Sequence, residues 1–105
     1  MVVMIYAYES VYCGLHGINT GGVFEVDSVA EADEIGREMA YDVIEGYSHV
    51  FEDYDQEEVK EGIEWEVWPV RDNTELSVNE LDCEFASLGR SLFINEYCCV
   101  DIHNT

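Results

Sequence analysis

The stretch Ser28–Tyr54, SVAEADEIGREMAYDVIEGYSHVFEDY, decides how the rest of this chain is read. Ala32, Ile35, Met39, Val43, Tyr47, Val50 and Tyr54 recur at steps of three or four, drawing one apolar stripe along a helix. Ser28 with Glu31 three residues later is a capping-box signature at its start. The stripe runs to about Tyr54, either as one helix or as two pieces meeting at Gly46, where glycine costs on the order of 1 kcal/mol relative to alanine.

On either side the pattern is that of strands. Val2–Tyr8 is a continuous apolar and aromatic run, and in Gly22–Asp27 the apolar Phe24 and Val26 alternate with Glu25 and Asp27, so two strands are expected. The segment between them carries Gly14, Gly17 and the cluster Asn19-Thr20-Gly21-Gly22, residues that accept positive φ at a hairpin reversal. Downstream, Ile63, Trp65 and Val67 alternate with Glu64, Glu66 and Trp68 in a third strand ending at Pro69. Ser77 and Glu80 repeat the capping-box pattern ahead of Val78, Leu81, Phe85, Leu88 and Leu92, a second amphipathic helix whose last turn is weakened by Gly89. Tyr97–Ile102 reads as a closing strand. The order β-β-α-β-α-β predicts an α+β fold, with two amphipathic helices packed on a mainly antiparallel sheet, in a single domain over residues 1–105.

The charge is the chain's most unusual property. Its 24 Asp and Glu face four Lys and Arg, a formal −20, far beyond the magnitude of about 2 to 8 that keeps a small domain soluble. Between Glu25 and Glu66 sixteen acids meet only Arg37 and Lys60. With 12% aromatic and 48% hydrophobic residues this is not the composition of an acidic disordered tail, so a folded core is expected beneath the charge.

On the first helix Glu31, Glu34, Glu38, Asp42 and Glu45 form their own stripe. At a rise of about 1.5 Å per residue, successive charges lie roughly 4.5 to 6 Å apart along the axis, a spacing on the scale of nucleic-acid phosphates. Like charges at i and i+4 weaken a helix by a few tenths of a kcal/mol each, and surface helices normally intersperse the signs. Glu52, Asp53, Asp55, Glu57, Glu58, Glu61, Glu64 and Glu66 continue the acidity into the third strand, where Trp68 falls on the same strand face as Glu64 and Glu66. An exposed Trp there would stack on a partner arginine; packing under a helix is the other reading. The surface expected to bind a partner is thus Glu31, Glu34, Glu38, Asp42, Glu45, Glu52, Asp53, Asp55, Glu57, Glu58, Glu64, Glu66 and Trp68.

Other chemistries fit less well. Asp53, Asp55, Glu57 and Glu64 match positions 1, 3, 5 and 12 of an EF-hand loop, but Glu58 stands where the sharp turn needs Gly and a strand follows in place of the exit helix. Cys13 with His16, and Cys98 and Cys99 with His103, have no zinc-site spacing, and no C-x-x-C pair is present. Cys13 beside His16 lacks an orienting carboxylate and an oxyanion element, so no catalytic residue, metal or cofactor is expected. Direct binding to DNA or RNA would be repelled, and the Met1–Tyr8 run is too short to span a bilayer and lacks the basic start of a secretion signal. The four cysteines show no secreted-type framework, which points to the cytoplasm.

Small size, extreme acidity, an acid-striped helix and an α+β scaffold together resemble the phage and mobile-element inhibitors grouped as anti-CRISPR and antirestriction proteins. The resemblance is one of physical type over most of the chain, without a diagnostic motif. It implies a stoichiometric, non-enzymatic inhibitor in the bacterial host cytoplasm, which uses its acidic surface as a DNA or RNA mimic in the basic cleft of a CRISPR effector or restriction complex. An acidic adaptor or regulatory subunit, binding through its aromatics, is the alternative.

Overall fold

The computed structural model describes residues 1–9, 18–46 and 61–98, together with positions 52, 55 and 57. Three strands, β1 (Val2–Glu9), β2 (Ile18–Glu25) and β3 (Ile63–Pro69), form one antiparallel sheet in the order β2-β1-β3. Among the described residues three helices pack on it: α1 (Val29–Gly46), α2 (Val78–Leu88) and α3 (Arg90–Tyr97). The α+β class and the antiparallel sheet are those expected; among the described residues the second amphipathic segment divides at Gly89 into two helices.

β1 is central and covered on both faces, which is why its sequence is apolar without alternation. Val3 and Ile5 pack with Val26, Ala32 and Val67 beneath α1. Met4, Tyr6 and Tyr8 pack with Val23, Leu81 and Phe93 beneath α2 and α3. Each buried Val, Ile, Leu or Phe side chain contributes roughly 1.5 to 3 kcal/mol relative to exposure, so these two clusters hold the fold against its charge.

β2 and β3 flank β1 on opposite sides and both run antiparallel to it, so the chain leaving β2 must cross over β1 to reach β3. α1 lies along that crossover and packs against all three strands. Pro69 pairs with Val3 at a position whose N–H direction is outward, since the inward-facing Val70 N–H bonds Val2 O at 2.9 Å; the ladder to β1 therefore loses nothing to proline.

Three expectations need correction. Gly21 and Gly22 lie within β2, opposite Tyr6 and Ile5, and not at a positive-φ reversal. Gly21 is instead a close-packing position: a Cβ there would sit 2.6 Å from the Phe85 ring of α2. The second helix ends at Gly89, which has φ 81° and leaves Leu92 56% exposed while Phe93 is fully buried. The break resets the helical phase, so the stripe expected to continue through Leu92 passes to its neighbour. Finally, Tyr97 closes α3, and among the described residues Cys98 meets Val70 in an isolated antiparallel bridge, beside Arg71 N–H to Tyr97 O at 2.8 Å. The remainder of the expected closing strand, and the stretch expected to carry α1 to Tyr54, lie outside the described residues except for Glu52. Among the described residues no helix is long and apolar enough to cross a membrane.

Candidate functional site

α1 presents the acidic surface, and its inner side explains how it is held. Ser28 Oγ accepts from the Glu31 N–H at 3.1 Å, and the Glu31 carboxylate reaches back to the Asp27 N–H at 2.7 Å. This is the expected Ser-x-x-Glu start with the carboxylate extended one residue further, and it assigns Glu31 to capping, half-buried at the helix entry.

The helix buries Ala32, Gly36, Ala40 and Val43, while Ile35 and Met39 of the expected stripe lie half-buried beside them. Small residues at four-residue spacing bring the helix down onto the β3 indole of Trp65, where a Cβ on Gly36 would overlap the ring. Trp65 Nε1 in turn donates to Asp33 Oδ1 at 3.3 Å, tying α1 to β3. The Ala32-x-x-x-Gly36-x-x-x-Ala40 spacing was the available signal for this contact.

The opposite face carries Glu34, Arg37, Glu38, Tyr41, Asp42 and Glu45, all exposed. Glu34 to Glu45 spans roughly 16 Å of helix axis. Arg37 is the one cation of α1, and Tyr41, 48% exposed, stands among the acids. Glu52, Asp55 and Glu57 are exposed too, with Asp55 Oδ1 accepting from the Glu57 N–H at 3.0 Å. Asp53 and Glu58, and with them part of the EF-hand spacing, lie outside the described residues; Glu64 belongs to β3.

The third-strand members of the expected surface do not join the α1 row. Glu64, Glu66 and Trp68 project from the sheet face that α2 and α3 cover, the face opposite α1. Glu66 is buried, with 6% exposure, and is a core carboxylate instead of a surface one. Its Oε1 accepts from Arg90 Nε at 2.7 Å and from Trp68 Nε1 at 2.8 Å, and lies 2.6 Å from Arg90 Nη2. The Arg90 guanidinium also lies over the rings of Tyr6, at 5.6 Å, and Trp68, at 5.9 Å. Trp68 thus packs half-buried beneath the helices, one of its two expected roles. Nothing in the sequence joined Glu66 to Arg90, because the pairing bridges two elements that only the fold brings together.

This cluster shapes the tyrosines beside it. Burial raises the Tyr6 pKa above its ordinary value; the Arg90 charge opposes the shift and the Glu66 charge adds to it. Tyr8 is raised further, first by burial and then by its hydroxyl bonding to Glu64, the residue opposite it across the β1–β3 ladder. A second carboxylate, Glu9, is fully buried at the end of β1.

A hollow of about 470 Å³ opens where α2 meets α3, lined by Tyr6, Asn19, Phe85, Arg90 and Leu92 among others. Its one charged group, Arg90, is already committed to Glu66. Among the described residues no three His, Cys, Asp or Glu are grouped to hold a metal ion. What α1 presents is negative charge: exposed carboxylates along one face of a helix whose other face packs on the sheet.

Comparison with protein families, with curated proteins and with solved structures finds no match to this chain.

Proposed function

We propose that this chain is a stoichiometric inhibitor of a bacterial nucleic-acid-binding defence complex, a CRISPR effector or a restriction enzyme. It acts in the host cytoplasm by occupying a basic cleft as an acidic mimic of DNA or RNA. The observation that carries the reading is the exposed row Glu34, Glu38, Asp42 and Glu45 on a helix whose opposite side is fixed to the sheet through Gly36, Trp65 and Asp33. A helix held in this way needs no backbone ordering on binding, and each carboxylate can replace a phosphate in a charge-assisted hydrogen bond to Lys or Arg. The formal charge of −20 speeds encounter with a basic cleft and makes the association sensitive to salt.

Glu52, Asp55 and Glu57 extend the exposed acidity, and Asp53 and Glu58 belong to the same stretch of sequence. Glu66 and Trp68 are left out of the proposed surface because they are engaged with Arg90 inside the molecule. The mechanism is competition, with no bond made or broken in the target.

The test uses a partner captured from bacterial lysate at low salt. Replacing Glu34, Glu38, Asp42 and Glu45 together by Gln or Asn should abolish capture and inhibition while leaving the unfolding midpoint unchanged or raised. Full binding by the four-site variant would remove α1 from the interface. Single replacements are expected to do little, since exposed ion pairs contribute about 0 to 1 kcal/mol each.

A further inference from the structure

The outer edge of β2 offers a second interaction surface, which meets the α1 row only at Asp42. Met1 and Val26 exchange both backbone hydrogen bonds, at 3.0 and 2.9 Å, which fixes the alternation along the β1–β2 ladder. Phe24, Gly22 and Thr20 therefore turn their backbone groups toward β1, and Glu25, Val23 and Gly21 turn theirs outward. The Val23 N–H bears this out, donating away from the sheet to Asp82 Oδ1 of α2 at 2.9 Å. The outward N–H groups of Gly21 and Glu25 have no acceptor among the described residues.

An edge in this state is a template for another strand, and proteins usually blunt it with lysine, proline or a bulge. Here the charges that the described residues place beside it are acidic. Asp82 sits at the middle of the edge, and Glu25 and Asp27 are exposed at its end. At its beginning Asp42 of α1 lines a hollow of about 240 Å³ with Asn19, Thr20 and Val43. A second copy of this chain would bring the same acids, and another formal −20, against them. An extended segment carrying Lys or Arg would meet opposite charge along its whole length and could satisfy Asp82 in place of Val23.

We infer that the β2 edge from Gly21 to Glu25 accepts an extended basic segment of a partner protein by strand addition. Main-chain hydrogen bonds to Gly21 and Glu25 supply the register, and Asp82, Glu25 and Asp42 select for positive side chains. Gly21, already covered by Phe85 on its α2 side, leaves the start of this edge without a side chain.

The experiment titrates the ¹⁵N-labelled full chain with a blocked eight-residue peptide of alternating lysine and valine, and with the same peptide N-methylated at its four central residues. N-methylation keeps the charge and removes the main-chain donors. The unmodified peptide should shift the Gly21, Val23 and Glu25 amides and bind about tenfold or more tightly than the methylated one. Glu25→Pro, which removes one outward N–H at an edge position that tolerates proline, should weaken the unmodified peptide several-fold with the fold intact by circular dichroism. Equal affinity of the two peptides, shifts confined to α1, no binding by either peptide, or undiminished binding to the folded Glu25→Pro chain would each overturn the inference.

Discussion

Replacing Arg90 by Leu should be among the most costly single substitutions in this protein, and the structure sets the size of the loss. Glu66, whose side chain is 8% exposed, would keep only the Trp68 N–H after losing both Arg90 contacts. Breaking a buried ion pair from one side costs about 3 to 5 kcal/mol, because the remaining charge stays buried without its partner. Arg90 is 21% exposed, so water reaches its side of the pair and places the electrostatic loss near the lower bound. Loss of the guanidinium from above Tyr6 and Trp68 adds about 0.5 to 1 kcal/mol. The expected total is about 3 to 4 kcal/mol, a large share of the 5 to 15 kcal/mol typical of a domain. Urea unfolding followed by tryptophan fluorescence should show the midpoint falling with the slope retained. The double variant Arg90→Leu with Glu66→Gln should recover about 2 kcal/mol of the loss, since no charge is then stranded. A loss below about 1 kcal/mol in Arg90→Leu, or a double variant no better than the single, would refute the assignment of Glu66 as a charge held inside by Arg90.

Gly36→Ala should destabilise by about 1 to 2 kcal/mol, because the clash with Trp65 outweighs the roughly 1 kcal/mol gain in helix propensity, whereas Gly46→Ala, with nothing within 4 Å of its Cβ, should stabilise by about 0.5 to 1 kcal/mol. Thermal unfolding midpoints moving in the same direction for both would contradict the packing of α1 on Trp65. Stability should also fall in alkali: the folded chain holds the Tyr6 and Tyr8 protons more tightly than the unfolded chain, so their contribution is complete below about pH 10 and is lost as pH rises through the folded-state values. Tyr8→Phe should flatten that decline in urea titrations above pH 10, and an unchanged slope would show that Tyr8 is not the group responsible. Ser77→Ala should cost about 1 kcal/mol, since Ser77 Oγ and the Glu80 carboxylate each accept a backbone N–H at 3.2 Å at the start of α2.

The local elements were legible because each has its own period. The bounds of β3 are those read from the alternation around Trp65, and both Ser-x-x-Glu signatures mark real helix starts. What the sequence concealed depends on contacts between elements. Alternation in β3 suggests a wet face bearing Glu64, Glu66 and Trp68, yet only Glu64 is exposed; Trp68 and Glu66 lie under the helices, and Glu66 is accommodated because Arg90 arrives from α3. Gly21 and Gly22 read as a turn when taken alone; their strand pairing follows from β1, and the absence of side chains serves the approach of Phe85 and Asp82. The stripe of α2 was readable, but the left-handed geometry at Gly89 that hands the core position from Leu92 to Phe93 was not. Of the proposed surface, the α1 acids stand where helical periodicity puts them, on the face away from the sheet, because Ala32, Gly36 and Ala40 leave the helix only one side to bury.

The central claim is that the α1 face and a nucleic acid compete for the same basic cleft. The direct measurement is displacement: the partner captured from bacterial lysate is identified, then challenged with duplex DNA and with guide RNA across a range of salt concentrations. Mimicry predicts that the partner is a nucleic-acid-binding defence protein, that one of these nucleic acids releases it in proportion to its concentration, and that affinity falls steeply with added salt. A partner retained in saturating nucleic acid, with affinity indifferent to salt, would contradict mimicry and favour an adaptor that binds through its aromatic and apolar surface.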